Sequence, residues 1–152
     1  MQARGVRNTL TANIFNLDLA SEISQRSTRE APASNETIRS SPWTTALFLM
    51  ETIGLAGTTD GLLTLLSRLH SGLGPDARVI VDSAPLLETG STQSVELQVR
   101  YKQQVGRPFP WLYLHSQTLA QVAHRAGWQT ELGYLDDDTG HFLARLTRDQ
   151  DS

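Results

Sequence analysis

An α/β fold, with a mostly parallel sheet closed by an antiparallel hairpin, follows from three features of this sequence. The first is a pair of short continuous apolar runs, Ala46 to Met50 and Val79 to Val81. Such runs suit strands covered on both faces of a parallel sheet. The second lies between them, where Leu62, Leu65, Leu66 and Leu69 recur at helical spacing and make one apolar stripe. The third is the end of the chain, where Trp128 to Leu135 and His141 to Thr147 flank the turn Asp136-Asp137-Asp138-Thr139-Gly140. Two strands so joined most simply form an antiparallel hairpin.

Strand, glycine-bearing loop, helix, turn and strand make a right-handed crossover. Thr58 or Thr59 is expected to cap the helix, with Asp60 in its first turn, where the helix dipole favours negative charge. Gly72 or Gly74 is expected to supply a left-handed stop, and Pro75 prevents continuation. This crossover places the loop from Glu51 to Thr58 at the carboxyl end of a parallel strand, where open α/β sheets bind ligands.

The remaining elements follow in chain order. Met1 to Gly5 reads like the end of a helix with Gly5 at its stop, so the sequence leads one to expect a further segment upstream. Val6 to Ala12 is a strand candidate, and Asn13 to Leu17 its exit loop. Residues 18–42 are polar and poor in large apolar side chains, a composition that cannot offset the entropy of ordering, and are expected to be a flexible insertion. Ser94 to Lys102 alternates strictly, with Val95, Leu97, Val99 and Tyr101 on one face, as in a half-solvated antiparallel strand. Val105-Gly106-Arg107-Pro108 is expected to turn the chain. Phe109 to Leu114 then returns as hairpin partner, with Pro110 restricting it to an edge or strand end. Ser116 is expected to cap a second helix, Gln117 to Ala126, whose stripe is Leu119, Val122, Ala123 and Ala126, with Gly127 ending it.

The 152 residues suit about one domain. A compact chain of this size buries about 70% of its unfolded surface, enough for a core. A net charge of −3 argues against a general nucleic-acid binder, which usually carries a basic face. Cysteine is absent, so there is neither a disulfide frame nor a thiolate metal site. No apolar run approaches the roughly 20 residues that cross a bilayer, and no apolar signal core opens the chain. A cytoplasmic location without membrane or nucleic-acid partners is the expectation.

Candidate chemistry gathers around the first loop. Gly54-Leu55-Ala56-Gly57 reads either as a ligand loop or as a glycine-eased strand-to-helix turn. It is not a phosphate loop, because no Lys-Ser/Thr pair follows. Glu51 is either a ligand contact or a solvated strand-end charge, and Asp82 either a base or substrate contact or a turn residue. Trp111, Tyr113, Phe109 and Tyr101 form an aromatic group that either packs the hairpin or walls a substrate. His70, His115, His124 and His141 are scattered without paired spacing, so no metal site is expected. Asp136 to Asp138 lacks the alternating ligands and closing glutamate of a calcium loop. No serine, histidine and acid share a diagnostic spacing.

The order and spacing of several strings resemble the carboxyl-terminal half of a class I S-adenosylmethionine-dependent methyltransferase. They are Arg4-Gly5-Val6 with Ala12-Asn13-Ile14-Phe15; Leu47 to Thr58 with Gly61-Leu62; Val79-Ile80-Val81-Asp82-Ser83; Arg100-Tyr101 with Pro108 to Tyr113; and Gly140 to Leu146. The resemblance covers residues 1–17 and 43–146. It implies part of a Rossmann-like sheet, strands three to seven of seven. Val6 to Ala12 would be the third, Thr44 to Met50 the fourth, Val79 to Ser83 the fifth, and Trp128 to Leu135 and His141 to Thr147 the sixth and seventh. The hairpin from Ser94 to Tyr113 would lie over the substrate side. The family's glycine-rich loop and ribose-binding acid have no counterpart in this chain. The organisation implied is a remnant strand in 1–17, an insertion in 18–42 and the carboxyl-terminal half of the domain in 43–148.

The function implied is methyl transfer from S-adenosylmethionine to a small acceptor, with the isolated chain incomplete or impaired. Carried over position by position, the cofactor residues would be Asn13 and Ile14 near the adenine, with Met50, Glu51, Thr52 and Gly54 near the methionyl end. Asn13 stands where the family usually has aspartate, and Glu51 where it usually has an amide. Asp82, Trp111 and Tyr113 are the candidate substrate contacts, and no catalytic residue is assigned. The alternative is a non-catalytic interaction module. In the family's strand order the missing strands lie between the third and fourth, so the fourth keeps an open edge that invites pairing with the N-terminal residues, a second copy or a separate protein carrying the missing half.

Overall fold

The computed structural model describes residues 13–14, 43–86 and 91–148. The proposed third strand and the insertion in 18–42 lie outside the described residues, apart from Asn13 and Ile14 of the exit loop. Ile14 is half-buried against the hydrophobic core, and Asn13 is exposed.

The central sheet has four described strands: β1 (Thr45–Phe48), β2 (Arg78–Ser83), β7 (Trp128–Leu135) and β8 (Phe142–Arg148). Their order is β1-β2-β8-β7. β1 and β2 are parallel, with Ala46 opposite Val79 and Phe48 opposite Val81. β8 is antiparallel to both β2 and β7. Three strands thus run one way and β8 runs the other. "Mostly parallel" holds for strand direction but not for pairing, because β8 inserts between β2 and β7.

Helix α1 (Thr59–Gly72) joins the parallel pair, as the leucine spacing requires. Leu62, Leu65, Leu66 and Leu69 are each at most 2% exposed. Removing such side chains from water stabilises the fold by about 1.5–3 kcal/mol each. Thr58 is the cap, accepting the Gly61 N–H at 3.0 Å. The stop differs from the expected one. Leu73 ends the helix in extended backbone, and neither Gly72 nor Gly74 is left-handed. The terminal carbonyls instead meet Arg148, far along the chain on β8, which donates to His70, Leu73 and Gly74. A guanidinium carries several fixed donors and so replaces a local glycine cap.

Helix α2 (Ser116–Arg125) packs beside α1, and Gly127 follows it in a left-handed conformation. Its cap is His115 rather than Ser116, through Nδ1 accepting the Gln117 N–H at 3.1 Å. Ser116 is itself buried and already helical. The two helices share one core with Val79 and Val81 of β2, Phe142, Ala144 and Leu146 of β8, and Trp128 of β7. The Trp128 indole N–H, fully buried, donates to the Leu66 carbonyl at 3.0 Å. On the other face of the sheet Arg78, Leu143 and Arg145 are exposed.

β1 is shorter than expected and is not covered on both sides. Its burial alternates, and Leu47 is 61% exposed. Among the described residues it is the terminal strand, so one edge and one face lack neighbours.

The alternating segment after residue 93 also divides. β3 (Gln93–Leu97) pairs antiparallel with β6 (Phe109–Tyr113), as expected for a returning partner. Beyond Leu97 the chain forms a separate tip, β4 (Arg100–Tyr101) against β5 (Gln104–Val105). The reversal falls at Lys102-Gln103, with Lys102 at φ 54°, rather than at Val105 to Pro108. No described helix is long and apolar enough to cross a membrane.

Candidate functional site

The chain leaves β1 through two successive left-handed residues, Met50 at φ 60° and Glu51 at φ 58°. Each such conformation costs a residue with a Cβ about 1–2 kcal/mol, so something must hold the pair. Asp82, next to the last residue of β2, does so. One carboxylate oxygen accepts the Met50 N–H at 3.1 Å and the other the Glu51 N–H at 2.7 Å. The parallel pairing of β1 with β2 brings the exits of both strands to one end of the sheet, so a residue 31 positions away can reach both amides.

A short 3₁₀ helix, Thr52–Ala56, follows at once. The Thr52 hydroxyl donates to the Leu49 carbonyl at 2.8 Å, and the Gly54 N–H to the Glu51 carbonyl at 2.8 Å. The side chains of Glu51 and Thr52 are half-buried, and Met50 is 87% exposed. The stretch from Gly54 to Gly57, open between ligand loop and turn in the sequence, is thus a helical turn in its backbone.

The β3–β6 hairpin lies on this turn. The indole of Trp111 packs so closely on Gly54 that a Cβ there would fall 2.4 Å from the ring. Pro110 likewise abuts Gly57, which is left-handed at φ 72°. Ser94 of β3 donates to the Gly57 carbonyl at 2.5 Å. The far end of the hairpin is tied to the β2 exit, where the Leu114 N–H donates to the Ala84 carbonyl at 2.9 Å. Phe109 meets Trp111 edge-on at 6.2 Å between ring centres.

Six of the predicted positions therefore converge. Met50, Glu51, Thr52 and Gly54 form the turn, Asp82 holds its start and Trp111 covers its glycine. Tyr113 shares the Trp111 face of β6 and is half-buried. Ile14 instead packs on the core. Sequence reasoning missed Ser94 and Pro110, and the Gly57–Pro110 contact left no mark beyond a glycine and a proline 53 positions apart. The arrangement holds no paired acid and base. It is a shaped turn with two half-buried acidic residues, Glu51 and Asp82, at the carboxyl ends of two parallel strands, and Asp82 accepts two of the turn's own amides.

A separate concavity of about 400 Å³ lies at the opposite end of the sheet, lined by Arg78, Arg145, Arg148, Gln129 and others. Arg148 is committed to the α1 carbonyls and Arg145 pairs with Glu131. His70, beside Arg148 and edge-on to Trp128, has its pKa lowered by burial and then by that guanidinium.

No family model matches the chain, and no curated protein matches it. Solved structures do. The chain is similar to an S-adenosylmethionine-dependent methyltransferase from Bacteroides fragilis in complex with S-adenosyl-L-homocysteine, at 24% identity and TM-score 0.69. That match covers 97% of this chain and 57% of the other, so this chain spans little more than half of its neighbour's length. A methyltransferase of Clostridium acetobutylicum matches at 9% identity and TM-score 0.53, over 97% of this chain and 67% of that one. The sugar N-methyltransferase KedS8 from Streptoalloteichus matches at 14% and 0.53, over 97% and 66%. The likeness is one of fold, and the fold is that of the class I S-adenosylmethionine-dependent methyltransferases.

Proposed function

We propose that this chain binds S-adenosylmethionine at the turn after β1 and serves methyl transfer to a small acceptor. The observation that carries this reading is the left-handed Met50–Glu51 pair, held by Asp82 at the carboxyl end of a parallel strand and roofed by Trp111 over Gly54. Ligands of open α/β sheets sit at such strand ends. Bound S-adenosylmethionine supplies a methyl group on a cationic sulfur, open to attack by an acceptor lone pair.

The residues of this chain have positioning roles. Glu51, a half-buried residue, offers a negative charge to a ligand bearing an ammonium and a sulfonium. Thr52 and Gly54 fix the backbone beneath, and the exposed Asn13 would edge the adenine. Trp111 and Tyr113 would wall the acceptor. Asp82 holds the turn, each of its oxygens accepting one backbone donor, and its remaining lone pairs leave it available to the acceptor as well. Holding nucleophile, methyl carbon and sulfur in line supplies much of the rate in such a reaction, so a site without a general base is adequate.

Calorimetric titration of the full chain with S-adenosylhomocysteine tests this reading. Saturable heat, weakened by Glu51→Lys, is the expected result. Absence of heat at millimolar ligand would remove it. A second reading rests on β1, terminal among the described residues, where Leu47 is 61% exposed, with Met50 87% and Leu55 54% exposed in the turn beyond it. In that case the chain is a non-catalytic module pairing through the β1 edge, and Leu47→Lys would abolish the pairing while leaving the fold intact.

A further inference from the structure

Every residue from 98 to 108 is exposed, yet the segment is an ordered hairpin. Arg100 pairs with Val105 and Tyr101 with Gln104. The Gly106 N–H donates to the Val99 carbonyl at 2.9 Å, and the Gln98 amide to the Gly106 carbonyl at 3.2 Å. A lone two-stranded hairpin is marginal in water. This one also presents Val99, Tyr101 and Val105 at 62%, 68% and 56% exposure. Arg100, Lys102 and Arg107 surround them, and no acid occurs from Leu97 to Thr130. Val99 and Tyr101 lie on one face of the tip and Val105 shares the other with Arg100, so the tip offers a small apolar face with cationic neighbours.

The chain carries the converse surface at the far edge of its sheet. Among the described residues β7 is the terminal strand there, and Leu132, Tyr134 and Leu135 are 47%, 53% and 44% exposed. Asp136, Asp137 and Asp138 follow directly. Asp136 is committed to the turn, accepting the Asp138 N–H at 2.9 Å and the Thr139 N–H at 3.1 Å. Asp137 and Asp138 are exposed. Residues 131–138 hold four acids and no lysine or arginine. Leu132 and Leu135 lie on one face of β7, opposite Ala144 and Phe142, and Tyr134 on the other, opposite Leu143, with the exposed Asp137 and Asp138 just beyond.

We propose that a second copy of this chain is the partner, with the 98–108 arm of each copy seated on the β7 edge and the Asp137–Asp138 rim of the other. Val99 with Tyr101 on one face of the arm, and Leu132 with Leu135 on one face of β7, supply two apolar side chains to each side beside opposite charge, so one sequence carries both halves of the contact. A two-fold pair makes the contact twice and closes, whereas a single head-to-tail contact would leave one arm and one edge unmatched and would propagate. The rim charges set register and speed encounter, and the apolar centres supply the burial. This inference does not depend on the cofactor reading.

Analytical ultracentrifugation of the full chain tests it. A dimer is expected at about 0.1 M salt, weakening toward about 1 M, where the screening length falls from about 10 Å to about 3 Å. Arg100→Glu with Lys102→Glu, and separately Asp137→Lys with Asp138→Lys, should each weaken self-association at least about ten-fold, the equivalent of about 1.4 kcal/mol. All four positions are exposed, so circular dichroism and the unfolding midpoint should not move. Mixing the two double variants should restore a dimer, because each then complements the other at both contacts. A monomer under all conditions would overturn the proposal. So would a dimer indifferent to both reversals, or one broken only by Leu47→Lys, or reversals that the mixture fails to rescue.

Discussion

Replacing Asp82 by alanine removes the side chain that accepts both left-handed amides of the turn after β1. Two backbone donors lose a carboxylate partner. A hydrogen bond to a charged group contributes about 1.5–3 kcal/mol net, and half-exposure favours the low end. Water can reach the Met50 amide, since that residue is 87% exposed, so no full burial penalty follows. Relaxation of the left-handed pair, at about 1–2 kcal/mol per residue, limits the loss further. The expected destabilisation is about 2 kcal/mol for Asp82→Ala, and about 1 kcal/mol for Asp82→Asn, which keeps one acceptor oxygen. Urea unfolding measures it as a shift of midpoint at unchanged slope. The decisive variant is Met50→Gly in the Asp82→Ala background. Glycine occupies the left-handed region without a Cβ clash, so about 1 kcal/mol should return. An Asp82→Ala protein within about 0.5 kcal/mol of the parent would refute the reasoning, as would a double variant no more stable than Asp82→Ala alone.

Gly54→Ala drives a methyl group into the Trp111 ring and should cost about 1–3 kcal/mol through overpacking. The accompanying change in tryptophan emission would report displacement of the hairpin, and an unaltered spectrum would count against the contact. Arg148→Met removes donors from the His70, Leu73 and Gly74 carbonyls and should loosen the last turn of α1, seen as faster amide exchange from Leu69 to Gly74 than elsewhere in the helix. His70 gives a pH dependence of defined sign. Its folded pKa lies below the ordinary 6.5, first through burial and then through Arg148, so the unfolded chain binds the proton more readily. Stability should be fullest above about pH 6.5 and decline as pH falls through the folded value. The decline should be shallower in Arg148→Met, and urea midpoints across that range would read the difference.

How much of this was legible beforehand depends on the reach of each interaction. The crossover was legible because the leucine stripe repeats every turn and the strands on either side are continuous apolar runs. Thr58 as a cap, Gly127 after α2 and the turn from Asp136 are all settled within a few residues. Other features carried no local sign. Met and Glu are not left-handed formers, and nothing near them in the chain announces that Asp82 would hold both amides. The glycine stop of α1 was plausible locally and was displaced by a guanidinium arriving from β8. The strict alternation after Ser94 described a strand but not its break at the exposed tip, because no neighbouring sheet continues beyond Leu97.

By itself the sequence determined the parallel pair with its connecting helix and the antiparallel pair that ends the chain. Periodicity and capping are written into neighbouring residues. Only the tertiary structure decided that the strand order places β8 beside β2, that Asp82 meets the loop from Met50 and that Trp111 lies on Gly54. Those contacts join residues 31 or more positions apart, and a chain records such meetings nowhere until the sheet assembles and brings them within bonding distance.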